Sequence, residues 1–158
     1  MSTREALARA QAELVRALTQ GTAVPMGFDA ARVLAAAEAL LAKRRRGVEC
    51  AWPVLVKALG ERFSEDFTAW AREHPLLGVE PHPRVEGRHF AASLSAGGRL
   101  PWEAEVELLG FDLRWRVTAG GGLAPRRGLV LKVLRMGPDR RWVLAVKGPG
   151  GRLLRWFP

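Results

Sequence analysis

The sequence predicts an α+β protein, with a helical domain of about six helices over residues 1–118 and a three-stranded antiparallel meander over residues 126–158 packed on it. Three observations carry this. Apolar residues recur at helical spacing as far as Leu113, the period changes to alternation after TAGGGLAPRRG, and short aliphatic runs are separated by the turn sequences MGPD and GPGG.

At the start of the chain, Ser2 and Glu5 have capping-box spacing, and Leu7, Ala10, Leu14 and Leu18 mark one stripe that ends at Gln20 and Gly21. Asp29 suits the N-cap of a second helix with Val33, Leu34, Ala37, Leu40 and Leu41 inward. Four bases, Lys43 to Arg46, are expected to close that helix before Gly47 as a solvated end, because cations favour the negative pole of the macrodipole. The densest apolar and aromatic stretch follows, AWPVLVKALGERFSEDFTAWAREHP from Ala51 to Pro75, broken at Gly60. Trp52, Leu55 and Leu59 share a face before that glycine, and Phe63, Phe67 and Trp70 recur at i, i+4, i+7 after it, so all six are expected in the core. Pro53 fits either the first residue of a new helix or a kink in a continuing one.

His74 to Arg84, HPLLGVEPHPR, is expected to be an extended connector with no helix, because it carries three prolines and a glycine. Glu86 to Ala96 reads as a short helix with Phe90 and Leu94 inward. Pro101 suits the first position of a sixth helix, in which Trp102, Val106, Leu109 and Leu113 form the core stripe and Glu103, Glu105 and Glu107 the other side. Gly120 to Gly122 suggest a flexible linker. Strands are expected at Leu129 to Met136, Arg140 to Lys147 and Arg152 to Phe157. Trp142, Leu144, Leu154 and Trp156 are expected against the helices, with Lys132, Arg135, Arg141, Lys147, Arg152 and Arg155 outward.

Charge is divided along the chain. Residues 1–113 hold 14 Lys and Arg against 15 Asp and Glu, whereas residues 114–158 hold 11 against one acid, so the net charge of +9 belongs to the C-terminal part. A basic surface of this kind attracts acidic peptides, acidic protein faces or phosphates. No long uncharged apolar run and no signal-peptide pattern is present, which points to a cytoplasmic protein without a membrane partner. Cys50 stands alone among Val48, Ala51 and Trp52 and is expected to be buried.

Catalytic chemistry is scarce. His74, His82 and His89 are separated by eight and seven residues with prolines between, which is no zinc pattern, and no metal or other cofactor is expected. GxSxG and P-loop signatures are absent, and adjacent carboxylates such as Glu65 and Asp66 do not face each other on a helix. We therefore expect a protein that is not an enzyme, with no catalytic residues.

The order of a small-aromatic-Pro-Val-Leu segment, the turn Leu59-Gly60-Glu61, an aromatic helix with Phe63 and Phe67, and then His74-Pro75 resembles the HvfC/BufC family of bacterial proteins. The segment LPWEAEVELLGFDLRW also looks like that family's following helix, so the likeness spans roughly residues 5–116. Its N-terminal helical domain carries a putative DNA-binding label. The resemblance implies a partner protein of a multinuclear non-haem iron oxidative enzyme that modifies ribosomally made peptides (RiPP biosynthesis). Such a protein would bind the precursor peptide, by strand addition to the C-terminal sheet with attraction from Lys132, Arg135, Arg152 and Arg155. The alternative is nucleic-acid binding by the basic region, with Trp115, Trp142 and Trp156 interleaved among arginines.

Overall fold

The computed structural model describes residues 3–76, 81–136, 141–148 and 152–156. Ser2, much of the two tight turns of the meander, residues 77–80 of the connector, Arg140 and Phe157 lie outside the described residues. The helices are α1 (Thr3–Gln20), α2 (Ala30–Ala51), α3 (Pro53–Leu59), α4 (Arg62–Glu73), α5 (Pro83–Ala96) and α6 (Trp102–Arg114). The strands are β1 (Trp115–Val117), β2 (Leu123–Pro125), β3 (Val130–Met136), β4 (Arg141–Lys147) and β5 (Leu153–Trp156). This is the expected α+β class. The chain divides into one compact unit of Met1–Gly47 with Ser64–Glu80 and another of Val48–Phe63 with Pro81–Pro158.

Within the first unit, the Asp29 side chain accepts from the backbone N–H of Ala31 and Arg32 at 2.9 and 3.3 Å, the N-cap that its position predicts. The helix that it opens does not stop at the basic run. It passes through Gly47 to Ala51, with Val48 fully buried, and the arginines of the run have folded partners. Arg44 is buried and donates to the carbonyls of Ala71 and His74 at 3.3 and 3.1 Å, satisfying acceptors at the C-terminal end of α4. Arg45 donates to Ser64 Oγ at 2.7 Å. A charged donor on an orphan carbonyl contributes about 1.5–3 kcal/mol. Ala17, Val33, Phe67 and Ala71 are buried, and Trp70 is half-buried and stacked on His74. Leu7 and Leu34 are exposed, contrary to their expected inward placement.

In the second unit, Pro53 is the first residue of α3 rather than a kink. Trp52, just before it, is only 1% exposed, and its indole N–H donates to the carbonyl of Arg84 at 3.2 Å. Its ring lies 5.2 Å from that of Phe111, and a Cβ on Gly87 would fall inside the indole. The expected core residues Leu55, Leu59, Phe63, Leu109 and Leu113 are buried, and Phe63 meets Phe90 edge-on at 6.0 Å. Val106 is partly buried and packs on the same cluster as Leu109.

Three local expectations are corrected. α5 begins at Pro83, inside the expected connector, because the His82 side chain caps it by accepting from Arg84 N at 3.1 Å. The glycine run forms no flexible linker. It closes a β1–β2 hairpin in which Thr118 Oγ1 accepts from Gly122 N at 3.0 Å and Gly121 supplies the positive φ. Cys50 is exposed. Its place near the C-terminal end of α2 turns it outward while Val48 and Trp52 take the interior.

Replacing Gly87 with alanine is expected to lower stability by roughly 1–3 kcal/mol, since the added methyl must displace a fully packed indole. Urea unfolding followed by tryptophan fluorescence measures it, and an unchanged midpoint would contradict the close approach.

Candidate functional site

Strands β3, β4 and β5 form one antiparallel sheet in that order, with Leu131 opposite Val146, Val133 opposite Leu144, and Val146 opposite Leu154. Directly opposed residues share a face of the sheet. One face packs on α6, where Val143 and Ala145 join Leu109 and Leu113 in a buried cluster that Trp102, Val106 and Val130 flank. The other face carries Leu131, Val133, Trp142 and Leu154, which are 61%, 60%, 53% and 70% exposed.

This parity is opposite to the expected one. Trp142 and Leu154 face outward, while Lys132 and Lys147 lie on the side of the helices. Five consecutive apolar residues, Trp142 to Val146, leave β4 without an alternation that identifies its inner face, and a shift of one residue exchanges the two. Polar partners decide it. Lys147 is 7% exposed and its Nζ donates to the carbonyl of Arg126 at 2.7 Å. Lys132 Nζ reaches Asp112 Oδ2 on α6 at 2.9 Å, and Arg88 of α5 holds Asp112 Oδ1 at 2.8 Å.

Of the other bases expected outward, Arg152 is exposed, and its carbonyl accepts from Gly148 N at 3.0 Å at the β4–β5 turn. Arg135, Arg141 and Arg155 stand in register with Trp142, Met136 and Ala145, and their side chains lie outside the described residues, as does that of Trp156. The six bases therefore do not form one outward array.

Two carboxylates of α6 were not singled out by the sequence. Asp112 is the acid within GFDLRW, the stretch that ends the apolar stripe. Burial raises its pKa, but hydrogen bonds and charges from Arg88 and Lys132 outweigh that and hold it below 3.8. Glu107, expected on the outer side, accepts from the backbone N–H of Leu55 at 2.7 Å and of Val54 at 3.4 Å. It thereby caps α3, whose own N-cap residue Trp52 makes no side-chain cap bond. Burial raises its pKa above 4.5 despite those two donors. Among the described residues no group of three or more His, Cys, Asp or Glu is placed to hold a metal ion, and no helix is long and apolar enough to cross a membrane.

Because Asp112 has a lower pKa folded than unfolded, its contribution to stability is complete above the unfolded value of about 3.8 and is lost as pH falls through the folded one. Glu107 has the opposite sign. Its ionisation opposes folding above its raised pKa, and that opposition disappears as pH falls to about 4.5. Asp112→Asn is expected to lower stability at pH 7 by about 2 kcal/mol and to flatten the loss below pH 4. Denaturant titrations at pH 7 and pH 3 measure both, and equal losses at the two pH values would contradict the ionic role.

The family described as SCO6045-like, C-terminal domain, matches residues 8–96, more than half of the chain. A UPF0276 protein of Streptomyces avermitilis is 36% identical over 132 residues, which are 84% of this chain and 26% of that protein. The chain thus spans about a quarter of the length of this curated relative. No solved structure matches significantly. From the extent of the family match, the chain belongs to the SCO6045-like, C-terminal domain family.

Proposed function

We propose that this protein is a non-catalytic partner that takes a ribosomally made precursor peptide as an added strand on the β3–β4–β5 sheet and presents it to a multinuclear iron-dependent oxidative enzyme. The observation that carries the peptide-binding part is the solvent-facing apolar surface of Leu131, Val133, Trp142 and Leu154, beside the seven-residue β3, which pairs with β4 alone among the described strands. Unpaired backbone groups on an edge strand supply main-chain hydrogen bonds to an incoming strand, and apolar neighbours select its alternate side chains.

A partner role is supported by the Streptomyces avermitilis relative. Only 26% of that protein matches this chain, so a related domain there accompanies a much larger body of polypeptide. The HvfC/BufC resemblance supplies the class of enzyme. Recognition is mainly apolar and main-chain in this reading, because Lys132 and Lys147 are held by Asp112 and the Arg126 carbonyl. The same two attachments weigh against the nucleic-acid alternative, which needs those bases at the surface.

The test combines co-purification with an iron enzyme of this class and hydrogen exchange with its precursor peptide. Expected are a stable complex and new amide protection confined to residues 129–157, led by β3. A Leu131→Asp/Val133→Asp double variant is expected to weaken peptide binding by roughly tenfold or more at an unchanged melting temperature. Protection only in the helices, or steeply salt-dependent DNA binding without a protein partner, would overturn the reading.

A further inference from the structure

A cleft of about 340 Å³ in the second unit is lined by Trp52, Arg84, Glu107, Phe111, Arg114 and Trp115. It lies where α6 ends and β1 begins, and it combines three aromatic rings with two guanidinium groups. We infer that this cleft is a second recognition site, which binds a carboxylate carried next to an apolar side chain, as in an acidic residue beside an aliphatic or aromatic one in a peptide.

The charges argue for an anion. Arg84 and Arg114 are exposed, and neither meets a carboxylate among the described residues. Arg84 is positioned over the Trp115 ring, its guanidinium carbon 6.0 Å from the centroid. Glu107 pairs with neither, since both its oxygens accept from the backbone of α3, at 2.7 and 3.4 Å, and its one charge leaves the two guanidinium groups in excess. Two guanidinium forks thus remain for an external anion such as a carboxylate, whose planar geometry they match.

The remaining lining fixes the kind of anion. The partly exposed Trp115 indole and Phe111 ring give an apolar neighbour surface against which to desolvate, with the buried Trp52 behind them. The volume is at the small end of ligand pockets and suits one or two side chains rather than a large cofactor. The site does not depend on the sheet accepting a strand.

The experiment is a titration of the full chain, observed at the tryptophan indole ¹H–¹⁵N resonances. The probes are a blocked Phe-Glu-Leu tripeptide, its Phe-Gln-Leu counterpart and inorganic phosphate. Expected are saturable shifts of the Trp52 and Trp115 resonances with the acidic tripeptide, with affinity roughly tenfold lower for the glutamine peptide. An Arg84→Gln/Arg114→Gln variant should lose a similar factor. Equal binding of the two tripeptides, unchanged affinity in the folded variant, or a phosphate response as strong as that of the acidic peptide would each overturn the proposal. The comparison of the two tripeptides uses the unaltered protein, so it decides the matter even where the double variant fails to fold.

Discussion

The indole of Trp52 stands where α2 gives way to α3, and α5 and α6 take their positions against it. Its faces need Gly87 on one side and Phe111 on another, and its N–H needs the Arg84 carbonyl. A side chain this large is buried only where every neighbour conforms, since interiors are packed close to crystal density and leave no slack for a displaced ring. The consequence reaches α3. With Trp52 turned inward, the first amides of α3 have no local cap, and Glu107 from α6 supplies both oxygens instead. One apolar burial thus forces a polar attachment between elements about fifty residues apart.

The sheet is held to α6 by a second attachment of mixed character. Leu109, Leu113, Val143 and Ala145 exclude water, while Asp112 receives Lys132 and Arg88 beside them. A carboxylate between two cations is favourable there because the hydrogen bonds and charges exceed the cost of desolvating it. Committing the lysines inward leaves aliphatic residues and Trp142 outward. The local basic charge that suggests an electrostatic partner is therefore partly internal structure, and the outer face of the sheet presents Leu131, Val133, Trp142 and Leu154 to solvent.

The chain belongs to the SCO6045-like, C-terminal domain family. The match to a quarter of a UPF0276 protein shows a related domain within a longer chain. The small sheet leaves an apolar face open to solvent, and the second unit carries an aromatic, arginine-bearing cleft.

The amino-acid sequence by itself determined the number of helices and of strands in the meander, because Asp29, Gly60 and the apolar periods act locally on the backbone, while Pro53 fits a new helix or a kink equally. It also determined most of the helical core, from Trp52 to Leu113, since large apolar residues at helical spacing have one low-energy side. The end of α2 escaped it, because Arg44 is buried on carbonyls 27 and 30 residues away instead of solvated, and Val48 beyond Gly47 is buried as well. The inner face of the sheet escaped it for a related reason. An apolar run from Trp142 to Val146 suits either side equally, and only the tertiary structure, by bringing Asp112 to Lys132 and the Arg126 carbonyl to Lys147, decided which side met the helices.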